Sequence, residues 1–390
     1  MDQIDKMAGE VNRLMSCEEN RRRAGVQAQL NRLKAVHPTP FNSWNLTAGF
    51  PIVVLSWCRR LDHELDIEKI AKKTEDIDET FAHELIEFQL RQKIEKFNNV
   101  PDDLPISNAI HSNLGLCWMY QKSPLGEIYA VDESTGAFVS EPFIRSEQDI
   151  DRLEIPHFDF DRTLHESRVN VFREIAGEGF VVVDDALPRS IGAPFSTANN
   201  LAGVLELLEA FIDRPAFVHK LMDYVADAII GYTAERRAAL GGAQVGTFGC
   251  DEVSCDMFSP ESYEEFVWPY ECRAAAAYDG IYYHSCGNLT PLFEKILEIP
   301  NIRRIHVSPW SDMPTAVDVL KDRVVMEKHL APTVNLNTLS PEDMRAFVRQ
   351  TTDLGTDYPL DMVVNTNTPG GRRYREAFHA ETSAANVGIS

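Results

Sequence analysis

The sequence predicts an α/β protein whose main part is a (β/α)8 TIM barrel, preceded by an N-terminal helical extension. Two observations carry this prediction. From about residue 163, short apolar runs alternate with helix-patterned segments, which is typical of βα units around a parallel sheet. The motif G-x-G-x-x-G follows none of the apolar runs, so a barrel is favoured over a doubly wound dinucleotide-binding sheet.

The first hundred residues differ in pattern from the rest of the chain. Residues 1–35 form a charged, helix-patterned segment that ends near the two prolines of "HPTP", and residues 66–97 carry apolar residues at helical spacing. The intervening "FNSWNLTAGFPIVVLSW" has the composition of an extended segment. We therefore expect residues 1–100 to hold the helical extension and the first barrel elements. Residues 101–390 then hold the main barrel, within a single structural domain overall.

The predicted barrel strands follow one another from residue 180 onward. They are "FVVVDDA", "AQVGTFG", "GIYYHS", "IRRIHVSPW", "RVVMEKH" and "DMVVNTNTPGG". In a TIM barrel, active residues gather at the carboxyl ends of the strands. The predicted strand ends carry polar or aromatic side chains in one loop after another: Asp251 and Glu252, His284 and Cys286, Ser308 and Trp310, Lys328 and His329, and Asn365 and Asn367.

Composition limits the classes of partner. The chain has 60 acidic against 38 basic residues and a formal net charge of −22, so phosphate backbones and anionic membrane surfaces repel it. The polar amino-terminal segment shows no secretory pattern, and seven cysteines, an odd number, suit a reducing compartment. We expect a cytoplasmic enzyme that binds neither nucleic acid nor membrane. A homodimer is one assembly that the sequence allows.

His284 and Cys286 end one predicted strand and are the first candidate metal ligands. Residues i and i+2 of a strand point to the same side, so the imidazole and the thiolate converge. Zinc accepts this pair of ligands readily. The alternative is a buried cysteine beside a hydrogen-bonded histidine.

Asp251 and Glu252 close the preceding strand, where either carboxylate could bind a metal or act as a general acid. The alternative is an acidic cluster stabilised by a helix N-terminus, although Ser259-Pro260-Glu261 already begins the next helix. Cys255 is a third thiolate within reach of this loop, or else a small apolar side chain that packs.

Other strand ends supply candidate substrate contacts. Trp310 and His329 could form a wall or a proton donor for an aromatic substrate, or could serve in packing. One of Tyr282 and Tyr283 must point into the barrel, and Tyr283 is taken as a substrate contact. Asn367, with Asn365, could orient a substrate or cap a helix.

The run from Asp251 to Pro291 resembles the uroporphyrinogen decarboxylase superfamily, and within it the corrinoid-dependent methyltransferase branch of O-demethylase methyltransferase I type. The resemblance rests on three features: the acidic pair at 251–252, the "SPESYEEFVWP" helix and the strand that ends in "HSCGN". It extends more weakly over about residues 140–370. It implies a TIM barrel, zinc as the metal and a separate corrinoid protein as the partner. The arginine-rich amino-terminal signature of true porphyrinogen decarboxylases is missing.

One departure from this branch informs the expected reaction. Members that methylate coenzyme M take a third zinc ligand from a cysteine near the last strand, whereas this chain has no cysteine after Cys286. Zinc with fewer thiolates keeps more Lewis acidity, which suits cleavage of an ether bond. We therefore expect a zinc-dependent methyltransferase that demethylates a small methoxylated compound, with an aromatic one favoured. The methyl group passes to the cob(I)alamin of the corrinoid protein.

In this interpretation His284 and Cys286 hold zinc, with Glu252 as the favoured third ligand and Asp251 or Cys255 as the alternatives for that position. Asp251 and His329 are the catalytic candidates. The substrate contacts are Tyr283, Trp310, Cys255 and Asn367. Two alternatives stay open: a thiol methyltransferase in which Cys255 replaces the missing cysteine, and a metal-free decarboxylase-like or binding barrel.

Overall fold

The computed structural model describes the greater part of the chain, and the structural statements below concern that part. The described residues are 2–25, 53–54, 79–99, 105–112, 124–126, 129–131, 138–183, 190–249, 251–321, 323–329, 336–358, 360–364 and 369–384.

A six-stranded parallel sheet forms the centre of the fold, in the order β1-β10-β9-β8-β7-β6. The strands are β1 (Val53–Val54), β6 (Val245–Gly249), β7 (Gly280–His284), β8 (Ile302–Val307), β9 (Val325–His329) and β10 (Leu360–Val364). From β6 to β10 each strand lies beside its predecessor, and β10 then pairs with β1, the first of the described strands. This order is that of a barrel closing on itself, and the predicted TIM barrel is confirmed.

Among the described residues, four further strands of three residues each lie outside this sheet. β2 (Ala109–His111) pairs in parallel with β5 (Val181–Val183), and β3 (Tyr129–Val131) pairs in antiparallel fashion with β4 (Phe138–Ser140). The predicted strand at "FVVVDDA" is therefore present as β5, but within the described part of the chain it pairs with β2 and with no strand of the six-stranded sheet.

Helices follow the strands, and proline marks several of their first residues. Proline suits the first helical turn because its missing N–H has no intrahelical partner there. The helices are α1 (Asp2–Met15), α2 (Glu79–Asn99), α3 (Glu147–Ile150), α4 (Arg162–Ala176), α5 (Pro194–Ala202), α6 (Val204–Asp213), α7 (Pro215–Leu240), α8 (Pro260–Phe266), α9 (Trp268–Ala275), α10 (Phe293–Ile296), α11 (Met313–Leu320), α12 (Pro341–Asp357) and α13 (Pro369–Ala384). None of the described helices combines the length and apolar content that crossing a membrane requires.

The helix-patterned run from Ser259 to Tyr278 predicts a single helix between β6 and β7, whereas the structure has two. Ser259 caps α8 by accepting a hydrogen bond from the N–H of Ser262, as expected. The helix then ends at Phe266, and α9 begins at Trp268 after Val267 leaves the helical region with φ −121°. Pro269 explains the break, since it has no N–H to donate to the carbonyl of Glu265, four residues earlier, and instead takes a place in the first turn of α9, where no such donor is needed.

Two hydrophobic clusters stabilise the described part of the chain. The larger one lies between the barrel strands and the helices that follow them, from Leu125 to Phe378. The smaller one packs α1 on α2 through Val11 and Leu85, and Phe172 of α4 joins it. The predicted N-terminal helical extension is therefore present. The predicted boundary at residue 100 stays a prediction.

The register of β6 to β9 decides which side chains share the barrel interior. Thr247 lies opposite Tyr282, Tyr282 lies opposite Arg304, and His306 lies opposite Glu327. Because alternate residues of a strand face opposite sides, Tyr282 and His284 share one side of β7.

Candidate metal centre

Three potential metal ligands converge at the carboxyl end of β7. The donor atoms of Asp251, His284 and Cys286 all lie within 4.8 Å of one another, and no other such group of three occurs among the described residues. The Nε2 atom of His284 is 3.5 Å from the Sγ atom of Cys286 and 3.6 Å from an Oδ1 atom of Asp251. We refer to these three residues as the metal cluster.

The spacing in the metal cluster fits a small tetrahedral ion. With metal–nitrogen and metal–sulfur bonds of about 2.0 and 2.3 Å, two ligand atoms of a tetrahedral site lie about 3.5 Å apart. Asp251 and Cys286 are exposed and His284 is half-buried, so the cluster faces solvent on one side. The residues present therefore fit zinc, and the open side leaves room for a further ligand.

Hydrogen bonds between the loops after β6 and β7 hold the cluster in shape. The backbone N–H of Cys286 donates to the carboxylate of Asp251, over 3.1 Å. The buried Ser285 hydroxyl donates to the carbonyl of Val253, over 2.7 Å. The N–H of Cys255 donates to the carbonyl of Asn288. The segments "DEVSC" and "SCGN" therefore form one unit in space.

Gly287 is required by the close approach of these two loops. A Cβ atom at this position would lie 2.3 Å from the Cβ atom and 2.6 Å from the Oγ atom of Ser254. The Ser254 hydroxyl in turn accepts the N–H of Asn288. The glycine of "HSCG" therefore sets the distance between Asp251 and Cys286 through packing.

The loop after β8 also holds the segment around Gly287 in place, through hydrogen bonds to its backbone. The Ser308 hydroxyl donates to the carbonyl of Gly287, over 2.6 Å, and Ser311 accepts the N–H of Leu289. The Nζ atom of Lys328 donates to the carbonyl of Ser308, and burial lowers the pKa of this amine to about 8. These contacts account for the serines of "HVSPWSD".

Behind His284 lies a chain of polar side chains inside the barrel. The Nδ1 atom of His284 is 3.0 Å from the hydroxyl of Tyr282, which donates to Glu327 over 2.6 Å. Arg304 pairs with the same carboxylate at 2.6 Å, and both charged side chains are buried. His306 stacks on His284 with ring centroids 4.2 Å apart.

Electrostatics at the cluster favour a neutral thiol when no cation is bound. Loss of solvation and the carboxylate of Asp251 raise the pKa of the Cys286 thiol to about 12. A bound cation acts in the opposite direction, because it stabilises the thiolate.

The family model for uroporphyrinogen decarboxylase (URO-D) matches residues 122–367, more than half of the chain. The chain belongs to this family. A solved structure of a methyltransferase from Methanosarcina mazei is similar to it with a TM-score of 0.52 at 15% sequence identity. That match covers 92% of this chain and 97% of the other. At this identity the likeness shows a shared fold. No curated protein matches the sequence significantly.

In this member of the uroporphyrinogen decarboxylase family, the carboxylate in the cluster is that of Asp251, whereas the sequence favoured Glu252. The donor group brings Asp251 to within 3.6 Å of His284 and does not include Glu252, which is half-buried. The physical reason is the backbone N–H of Cys286, which holds Asp251 on the side of the ligands.

Tyr283 does not lie at the cluster, contrary to the expected substrate contact. Its fully buried hydroxyl lies 3.2 Å from both carboxylate oxygens of Glu271 in α9 and 3.4 Å from the hydroxyl of Tyr263 in α8. Tyr283 therefore faces the helices. Its neighbour Tyr282 takes the inward position because it shares the side of His284.

Of the remaining candidates, the structure describes the side chains of Trp310 and Cys255. Trp310 lies in the loop after β8 and its side chain is 60% exposed, while Cys255 packs against the larger hydrophobic cluster and lies outside the donor group. His329 is the last residue of β9, but its side chain is outside the described part. Asn365 and Asn367 lie outside the described residues.

Sequence reasoning assigned no supporting role to the residues that hold the ligands in place, although it named Tyr282 and Ser308 as strand-end candidates. Among them are Tyr282, Ser285, Gly287, Ser308, Arg304 and Glu327. A signal existed for Tyr282, since it precedes His284 by two residues and so shares its direction. Buried charges within apolar strands, Arg304 in β8 and Glu327 in β9, were a second signal, because such charges need partners.

Proposed function

We propose that this protein is a zinc-dependent methyltransferase that removes the methyl group from a small methoxylated compound. The acceptor is the cob(I)alamin of a separate corrinoid protein. The observation that supports this most is the donor set of the metal cluster, one imidazole, one thiolate and one carboxylate. Membership of the uroporphyrinogen decarboxylase family and the resemblance of "HSCGN" to the corrinoid-dependent branch support the same reaction.

His284, Cys286 and Asp251 would hold the zinc ion, and Asp251 replaces Glu252 as the proposed third ligand. When bound, zinc supplies a Lewis acid that stabilises negative charge on the departing ether oxygen. A donor set with a single thiolate suits that role, because each further thiolate would lower the positive charge at the metal.

The reaction that we propose is balanced without an oxidant. The C–O bond of the methoxyl group breaks, and a Co–C bond forms with the electron pair of cob(I)alamin. The ether oxygen keeps the electron pair of the broken bond and gains a proton, for which His329 at the end of β9 is the proposed donor. The exposed ring of Trp310, in the loop beside Gly287, is the proposed wall for an aromatic substrate.

The position of Cys255 weighs against the thiol-methylating alternative. That reaction would use Cys255 as an additional zinc thiolate, yet its side chain packs with the apolar core and lies outside the donor group of Asp251, His284 and Cys286. The compact donor group weighs against the metal-free alternative, because three unlike metal ligands within 4.8 Å are what a zinc site needs.

Two measurements test the proposal. Elemental analysis of the purified protein should find about one zinc per chain, and Cys286→Ala should lose it while Cys272→Ala, in α9, retains it. A screen of methoxylated aromatics with free cob(I)alamin should then produce methylcobalamin with the zinc-loaded protein. Methyl transfer from methylcobalamin to a thiol, without reaction of any ether, would instead select the thiol-methylating alternative.

A further inference from the structure

We infer that Tyr282, Glu327 and Arg304 form a support network that fixes the tautomer and the orientation of His284 for metal binding. This inference rests on the proposed zinc site and assigns a positioning role to residues that do not touch the metal. Its three members come from β7, β9 and β8, which are neighbouring strands of the barrel.

The charge of Glu327 determines which groups of the network donate and which accept hydrogen bonds. Its Oε2 atom accepts from two nitrogens of Arg304, at 2.7 and 2.6 Å, and its Oε1 atom lies 2.6 Å from the Tyr282 hydroxyl. Glu327 is 7% exposed and Arg304 is 5% exposed, so the pair is shielded from water. A carboxylate paired with a guanidinium can only accept hydrogen bonds, so the hydroxyl of Tyr282 donates its single proton to Glu327.

The same logic sets the proton on His284. The Tyr282 oxygen has already given its proton to Glu327, so toward His284 it can only accept, and the Nδ1 atom of His284 must carry the hydrogen over this 3.0 Å contact. In a neutral imidazole the other nitrogen, Nε2, then keeps its lone pair. Nε2 is the atom that faces Cys286 Sγ at 3.5 Å and Asp251 Oδ1 at 3.6 Å. The support network therefore presents a metal-binding nitrogen to the cluster.

A second contact fixes the plane of the ring. His306 stacks on His284 with the two planes only 6° apart. The buried ring of His306 is itself held at 2.7 Å from the carbonyl of Ser285, one residue beyond His284. Rotation of the His284 ring would break both the stack and the bond to Tyr282, so the orientation is determined from two sides.

The test compares two adjacent tyrosines of β7. Tyr282→Phe removes the hydroxyl of the support network, whereas Tyr283→Phe removes the neighbouring hydroxyl that faces Glu271 on the helix side. Zinc dissociation constants are measured by competition with a chromophoric chelator, and thermal unfolding of the metal-free proteins checks that both fold. Loss of a supporting hydrogen bond typically weakens metal binding about 10–100-fold, which we expect for Tyr282→Phe. Tyr283→Phe should stay within about twofold of the unsubstituted protein.

Substitution by cobalt adds a spectroscopic measurement that general destabilisation would not change. In Co²⁺-loaded Tyr282→Phe the sulfur-to-cobalt band should persist, because Cys286 is untouched, while the ligand-field bands shift as the imidazole reorients. In Co²⁺-loaded Tyr283→Phe both sets of bands should match those of the unsubstituted protein.

A double-mutant cycle shows whether Glu327 acts through Tyr282. Glu327→Gln should weaken zinc binding about 3–10-fold in the otherwise unsubstituted chain, and should add no further loss in the Tyr282→Phe background. Equal losses from Glu327→Gln in both backgrounds would overturn the network, as would Tyr282→Phe binding zinc as tightly as the parent or no more weakly than Tyr283→Phe. An unsubstituted protein that binds no zinc would overturn the proposed function together with this inference, so the two failures are distinguishable.

Discussion

The backbone N–H of Cys286 donates a hydrogen bond to the carboxylate of Asp251, which joins two proposed metal ligands before any metal is bound. The carboxylate is thereby held 3.6 Å from the third ligand, the Nε2 atom of His284. The loop after β6 and the loop after β7 are thus parts of one preorganised site.

The identity of the third ligand can be tested with two adjacent carboxylates. We expect Asp251→Asn to weaken zinc binding about 10–100-fold, because an amide is a poorer zinc ligand than a carboxylate. Glu252→Gln should change it by less than about threefold. Chelator competition measures both constants. The opposite order would return the ligand role to Glu252, as the sequence suggested.

Gly287 should not tolerate a side chain. Gly287→Ala places a Cβ atom 2.3 Å from the Cβ atom of Ser254 and 3.1 Å from its Cα atom, so the loops must move apart. We expect a loss of about 1–3 kcal/mol in the free energy of unfolding, together with weaker zinc binding.

Gly9→Ala is the matched control for this substitution, since the added Cβ in helix α1 would have no neighbour within 4 Å apart from the local backbone of that helix. It should be neutral or slightly stabilising. Urea denaturation compares the two variants, and a Gly287→Ala protein as stable as Gly9→Ala would contradict the packing argument.

How much of this site the sequence could predict differs between its parts. Because alternate residues of a strand face opposite sides, the sequence predicts that His284 and Cys286 point in the same direction. If His284 faces inward, the same rule assigns Tyr282 to the barrel interior. The choice between Asp251 and Glu252 had no such basis, since side chains in a loop follow no regular alternation of direction. That choice is decided by a hydrogen bond to Cys286, 35 residues away.

In the fold as well, features that depend on local sequence patterns could be predicted, whereas features that depend on strand register could not. The alternation of strands and helices predicted the barrel because each βα unit is a local pattern, and Pro269 could have predicted the helix break because it has no N–H for the carbonyl four residues earlier. The pairing of Arg304 with Glu327 depends on the register of β8 and β9, which no local pattern fixes.

The Arg304–Glu327 pair predicts a large cost when one charge is removed. Arg304→Met would leave the buried carboxylate of Glu327 without its cation, and we expect the free energy of unfolding to fall by about 3–5 kcal/mol. The double variant Arg304→Met/Glu327→Leu removes both charges and should recover part of this loss. Denaturant unfolding measures both, and a loss below about 1 kcal/mol in Arg304→Met would show that the pair behaves like a surface ion pair.

Glu271 predicts a dependence of stability on pH. Burial raises the pKa of this carboxyl from 4.5 to about 7, although the hydroxyls of Tyr263 and Tyr283 oppose the shift. The folded state therefore holds the proton more tightly than the unfolded state. Its stability falls as pH rises from about 4.5 to 7 and is flat above that range.

Glu271→Gln removes this titration. Relative to the variant, the unsubstituted protein should lose about 2–3 kcal/mol of unfolding free energy between pH 5 and pH 8. Urea denaturation at the two pH values gives the comparison. A difference between the two proteins that is independent of pH would refute the raised pKa.

The most direct test of the proposed function is methyl transfer from a methoxylated aromatic to cob(I)alamin, followed by the absorbance of methylcobalamin. Zinc-loaded, unsubstituted protein should form methylcobalamin in proportion to the demethylated product. Cys286→Ala, treated in the same way, should form none above the rate without protein, and Cys272→Ala should retain the activity. Equal rates with unsubstituted protein and Cys286→Ala would contradict the proposal that the cluster of Asp251, His284 and Cys286 is the catalytic metal centre.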